Sequence, residues 1–166
     1  TLLDGHLHDA IVLALGTIEE GATFDGNAIT GSVTASRHVG ITAYGGVAAD
    51  VTATEGNAII FAYDQGGTFT GNVRADKDVG ISVAQSIEQS TIHAGEDVEL
   101  TAHGNLLNVN IAEACRDVRV STDGKIENFK VAEARDISLG AVEGIVATGE
   151  ETYSLRALRN VVLISH

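Results

Sequence analysis

The 166-residue chain has no proline, no tryptophan, no methionine and a single cysteine. Each gap excludes something. One thiol, Cys115, cannot form an internal disulfide, so the core alone must hold the fold. Cys115 lies between Ala114 and Arg116 at an expected turn and reads as a small hydrophobe at a tight place. Methionine is missing even at position 1, which is Thr1, and a fragment or processed product is the expectation. Aromatic residues are only 4% of a chain that is 44% hydrophobic, so the rings that fill thick cores are scarce. A core of Val, Ile, Leu and Ala has to be narrow. Nineteen glycines without any proline point to short strands joined by Gly, Asn and Asp corners.

Positive charge is also scarce. Ten basic residues face 23 acidic ones, for a net charge of −13. No basic patch exists to neutralise phosphates, which argues against nucleic acid and anionic membrane surfaces as partners. The longest apolar run, Ala10 to Leu15, is strand-sized and far short of the roughly 20 residues a membrane span needs, so no membrane insertion is expected. No signal peptide is visible at the N-terminus.

What is present is a repeat. A polar residue before a Val-x-Ile-like pair recurs as His38, Asn57, Asp78, Asp97, Asp117, Asp136 and Asn160, at steps of 19, 21, 19, 20, 19 and 24 residues. Three positions after each marker stand Ile41, Ile60, Ile81, Leu100, Val120, Leu139 and Leu163, all large aliphatics. At 44% hydrophobic content, seven such matches arise by chance about 0.3% of the time, so the period is taken as real. One position on stand Val39, Ala58, Val79, Val98, Val118, Ile137 and Val161, and five on a column of mainly small residues ending at Thr122, Ala141 and Ser165. Two on, the residues are mixed, which is the period-2 alternation of a half-buried strand. Five before the marker stand Val33, Thr52, Val73, Ile92, Ala112, Val131 and Leu155.

Two coils slip: Val51 and Ala53 suit the pattern better than Thr52 and Thr54, and Glu133 lands on an alanine column beside Ala134. Both read as bulges or corner adjustments. The expected fold is an all-β right-handed parallel β-helix, a β-solenoid of about eight coils of roughly 20 residues. Three short strands and three corners make each triangular turn. Residues 1–166 form one domain, with 1–31 an irregular or capping coil and 32–165 regular coils. Asp9 with Ala10-x-Val12 reads as a further coil, and Ser154 to Ser165 as a last coil in preference to a helix.

The stacked Asp78, Asp97, Asp117 and Asp136 invite two readings. Each Asp accepts backbone N–H bonds at its own corner, with Lys77, Arg116 and Arg135 offsetting the repulsion, or the column binds cations. Asp76, Asp78, Glu96 and Asp97 form an acidic cluster of the kind carbohydrate-cleaving solenoids use. His6 and His8 alternate as a two-ligand start for a metal, while His93 and His103 read as exposed. The glycine pairs Gly45-Gly46 and Gly66-Gly67 lack phosphate-loop spacing. No residue is assigned to catalysis, to a cofactor or to a metal.

The segment Ala94-Gly95-Glu96-Asp97-Val98-Glu99-Leu100-Thr101-Ala102, with Ala114-Cys115-Arg116-Asp117-Val118-Arg119-Val120, resembles the repeats of filamentous haemagglutinin-type exoproteins of bacteria. The resemblance spans about Ser32 to Ser165 and lacks that family's Asn-Pro-Asn-Gly export motif. It implies the shaft of a secreted or cell-surface adhesin, outside the cell. A structural or adhesive segment of a larger bacterial protein, without catalysis or cofactor, is the leading expectation. A self-assembling scaffold filament of the bactofilin kind and a carbohydrate-binding or carbohydrate-cleaving module are the alternatives. Expected partners are a cell-surface glycan or protein, or a second copy through the solenoid ends.

Overall fold

The computed structural model describes residues 5–7, 10–15, 18–19, 22–25, 28–64, 66–148 and 154–165, with side chains from Ile29 onward. Among the described residues there is no helix. The expected parallel β-solenoid is what forms, with about six turns in place of eight.

Each turn has a long strand, a polar corner, a short strand and a second corner. The first turn holds β5 (Ala28–Ala35) and β6 (His38–Ala43), and the second β7 (Val47–Ala53) and β8 (Ala58–Ala62). The third holds β9 (Phe69–Ala75) and β10 (Val79–Val83), and the fourth β11 (Ile87–Ala94) and β12 (Val98–Ala102). Then come β13 (Leu106–Ala114), β14 (Asp117–Thr122), β15 (Lys125–Glu127) and β16 (Lys130–Ala141). The last are β17 (Gly144–Val146) and β18 (Ser154–Ser165). The short strands stack parallel in register, Val79 beside Ala58 and Val98, and Ile81 beside Ile60 and Leu100.

The third corner is hidden inside the long strand. In β11, Ile87 points inward, Glu88 and Gln89 do not, and Ser90, Ile92 and Ala94 are buried again. Gln89 has φ +48°, and this left-handed residue turns the chain and resets the alternation. Asn108 (φ +55°) and Asn128 (φ +53°) do the same in the next two turns, and asparagine tolerates that conformation better than most residues. One turn before Gln89, Gly71 has φ +130°, and a Cβ there would strike the Ala49 carbonyl, so only glycine fits.

Three aliphatic columns fill the tube. One runs through Ile41, Ile60, Ile81, Leu100, Val120 and Leu139, all buried. A second runs through Val33, Val51, Val73, Ile92, Ile111 and Val131. The expected slip to Val51 and Ala53 forms, with both side chains buried. One expected position is corrected: Ile111 replaces Ala112, because β13 has a bulge after Ile111 that displaces Ala112 from the core. A third column was not expected: Ile29, Val47, Phe69, Ile87, Leu106 and Ile126. Ala134 takes the core position and Glu133 points outward, 3.3 Å from Arg156 Nε. Each large aliphatic so buried contributes about 1.5–3 kcal/mol relative to exposure.

The first strands account for the lower coil count. The backbone of β1 (Gly5–Leu7), β2 (Ala10–Leu15), β3 (Ile18–Glu19) and β4 (Ala22–Asp25) is described. Here β2 runs antiparallel along β6, while β3 and β4 run antiparallel along β5. The strand expected at Ala10 exists, but it crosses the first turn instead of continuing the winding; Asp9 itself lies outside the described residues. At the other end β18 is a strand and not a helix, in parallel register with β16.

Two substitutions test this packing by thermal and urea unfolding. Leu100→Ala should destabilise by about 2–5 kcal/mol, the cost of a cavity at a site with no solvent access. Gly71→Ala should cost about 1–3 kcal/mol through backbone strain, and an unchanged midpoint in either variant would contradict the stacking described.

Candidate functional site

The candidate sites follow from what the corners do. At the first corner the expected acid column exists, but its bonding differs from expectation. The His38, Asn57, Asp78 and Asp97 side chains each accept the backbone N–H of the following turn, not of their own. The Asn57 N–H donates to His38 Nδ1 (3.0 Å), that of Asp78 to Asn57 Oδ1 (3.4 Å), and that of Asp97 to Asp78 Oδ1 (3.2 Å). The Asp117 N–H donates to Asp97 Oδ1 at 2.9 Å. The corner residue is therefore a vertical rivet, and any side chain with an acceptor serves. This is why His38 and Asn57 share a column with aspartates.

The other corners carry ladders that were not expected. The Asn105 N–H donates to Ser86 Oγ (3.1 Å), and the Lys125 N–H to Asn105 Oδ1 (2.9 Å). On the left-handed corner Asn128 Nδ2 donates to Asn108 Oδ1 (3.1 Å), and the Thr148 N–H to Asn128 Oδ1 (2.9 Å). Buried Thr122 donates its hydroxyl to the Gly104 carbonyl, satisfying a polar group inside the tube.

The acidic groups are paired with cations from the next turn. Arg116 lies 2.7 Å from Glu96 and 3.6 Å from Asp97. Asp117 is nearly buried, and Arg135 grips it with Nε on Oδ1 and Nη2 on Oδ2, both at 2.9 Å. Arg119 Nη2 adds a third bond at 2.9 Å. The Arg135 hydrogen bonds hold the Asp117 carboxyl below its ordinary range, against the opposing effect of burial, and Arg119 and Arg116 add to the effect. Asp136 is met by Arg135 at 3.5 Å, Arg159 at 3.7 Å and Asn160 Nδ2 at 2.8 Å. Among the described residues no three of the His, Cys, Asp and Glu side chains converge as a metal would require.

Among the described residues the histidines do not gather. His93 Nδ1 is 3.8 Å from Glu113, and exposed His103 Nδ1 is 2.6 Å from Asp123. The side chain of His6 and all of His8 lie outside the described residues. Cys115 is exposed on a corner, so it fills no tight place. One surface recess is lined by Thr52, Arg74, Asp76, His93 and Glu113.

Among the described residues, two groups of exposed apolar side chains stand together. At the last turn Val161 and Leu163 occupy the core register of β18, yet they are 45% and 53% exposed. On the outer face of the second turn Phe61 and Tyr63 have parallel rings 6.0 Å apart, and Tyr44 from the first turn sits 6.4 Å from Tyr63. The second feature was legible: Ile59, Phe61 and Tyr63 alternate with the buried Ala58, Ile60 and Ala62, and Tyr44 falls at the matching position one turn earlier.

Replacing Asp117 by asparagine should lower stability at pH 7 by about 1 kcal/mol once screening is allowed for, because Arg135 loses its charged partner. The depressed folded-state value fixes the sign. The Asp117 contribution is complete above the unfolded value of about 4 and disappears as pH falls through the lower folded value. Chemical unfolding of wild type and Asp117→Asn between pH 7 and pH 2 should show curves that converge in acid; a gap constant with pH would contradict the pairing.

In comparison with known proteins, no family model, curated protein or solved structure matches the chain.

Proposed function

We propose that the chain is a structural and adhesive segment of a larger bacterial secreted or surface protein, resembling the shaft of filamentous haemagglutinin-type exoproteins and acting outside the cell without catalysis. One observation carries this reading. The polar corner side chains bond from turn to turn while the core columns bond the turns into a rod. What the rod offers to other molecules is its outward faces, not a cleft.

Two features weigh against the rivals. A head-to-tail filament needs a free parallel edge at both ends, and β2, β3 and β4 already occupy the edges of β5 and β6 in antiparallel fashion. Glycoside cleavage needs two carboxyls held apart for acid and nucleophile or base. Of the acidic cluster Asp76, Asp78, Glu96 and Asp97, Arg116 engages Glu96 and Asp97, and the Asp78 carboxylate accepts the Asp97 N–H.

Latex beads coated with the purified protein should adhere to epithelial or bacterial cells above albumin-coated beads, in a manner that soluble protein competes away. Adhesion no better than albumin on either cell type would overturn the proposal.

A further inference from the structure

We propose that Tyr44, Phe61 and Tyr63 form a stacking platform for the pyranose rings of a neutral glycan, which rests on the adhesive reading and gives it a ligand class. The two other aromatic side chains described, Phe69 and Phe129, are wholly buried. These three are 55%, 37% and 47% exposed. In a chain this poor in aromatics, three rings gathered on one outward face are not core material displaced by chance.

The surroundings make the rings accessible. The neighbours of Phe61 on the adjoining turns are Thr42 and Ser82, and those of Ile59 are Gly40 and Gly80. Phe61 therefore rises between small side chains that carry hydroxyls. Phe61 and Tyr63 are stacked with their planes parallel within 2°, and Tyr44 is inclined by 54° to Tyr63. The segment between β8 and β9 is longer than the 84–86 and 103–105 corners of later turns, and Asp64 follows Tyr63 in it. Backbone bonds fold it tightly, from the Gly67 N–H to the Asp64 carbonyl (2.9 Å) and from the Thr68 N–H to the Gly66 carbonyl (2.8 Å).

Chemistry selects the occupant. An extended peptide gains its affinity from main-chain bonds to a free strand edge, and β8 is paired on both sides, by β6 and β10. A single-stranded nucleic acid also stacks on rings but needs cations along its backbone, and no Lys or Arg stands among these neighbours. A stable protein pair buries roughly 800 Å² on each partner, more than three half-exposed rings supply. A neutral pyranose has one face of C–H groups to lie on a ring and hydroxyls at its rim for Tyr, Thr, Ser and Asp to bond.

The test titrates the protein with hexasaccharides of β-1,4-linked glucose, β-1,4-linked N-acetylglucosamine and α-1,4-linked glucose, read by tyrosine fluorescence and by saturation-transfer NMR. At least one β-linked probe should bind, with transfer strongest to its axial C–H protons. Tyr63→Ala should raise its dissociation constant about tenfold, Tyr44→Ala should do so less, and Tyr63→Phe should retain most binding. Far-UV circular dichroism of Tyr63→Ala should match wild type, since the side chain is outside the core. Failure of all three probes to bind, or equal binding by wild type and Tyr63→Ala, would overturn the inference. If coated beads adhere to cells but no probe binds, the platform falls and the adhesive reading stands. If a probe binds through Tyr63 but beads do not adhere, the platform stands and the adhesive reading falls.

Discussion

Everything in this molecule depends on vertical register: the residue one turn on must lie directly above its predecessor. A single turn cannot bury its own apolar side chains, because it has no second layer to close against. Stacking at the inter-strand spacing of about 4.8 Å pairs the backbone of each strand and closes the tube at once. A shift of one residue would turn every side chain to the opposite face. Ile60, Ile81 and Leu100 would then meet water while Phe61, Ser82 and Thr101 met the core.

Register is fixed at three corners as well as in the core. A backbone amide at a corner lies where ladder bonding lapses, and an unpaired amide there is costly. The side chains of Asn57, Asp78 and Asp97 at one corner, Ser86 and Asn105 at another, and Asn108 and Asn128 at the third supply acceptors one turn apart. The aspartates bring negative charge in a stack, and Arg116, Arg135 and Arg159 step in from neighbouring turns to neutralise it. The acidic column is thus tied into the stack by bonds between turns.

The two aliphatic columns read from the sequence were legible because a strand with one buried face repeats its large side chains at one offset from each polar corner. The column through Leu106 and Ile126 escaped notice because a left-handed residue separates it from the rest of its strand. That corner is filled by residues as different as Gly71, Gln89 and Asn108, so no motif marks it. Ala112 was placed in the core because the bulge in β13 adds a residue that fixed offsets cannot register. The antiparallel course of β2 left no trace either, since apolar alternation is the same for both strand directions. The vertical bonding of the aspartates could not be read from composition, which shows an acceptor at a corner but not which turn it serves. The exposed rings of Tyr44, Phe61 and Tyr63 fall at outward positions, away from the columns that define the repeat, so the repeat does not mark them.

The most direct measurement places spin labels at Thr101→Cys and Ser121→Cys in a Cys115→Ala background. These two outward positions are lateral partners on β12 and β14. Their backbones should lie about 5 Å apart, so continuous-wave spectra of the doubly labelled protein should be strongly broadened by dipolar and exchange coupling relative to the sum of the singly labelled ones. Spectra that simply add, with no broadening in frozen solution, would show that residues one repeat apart are not stacked and would contradict the account.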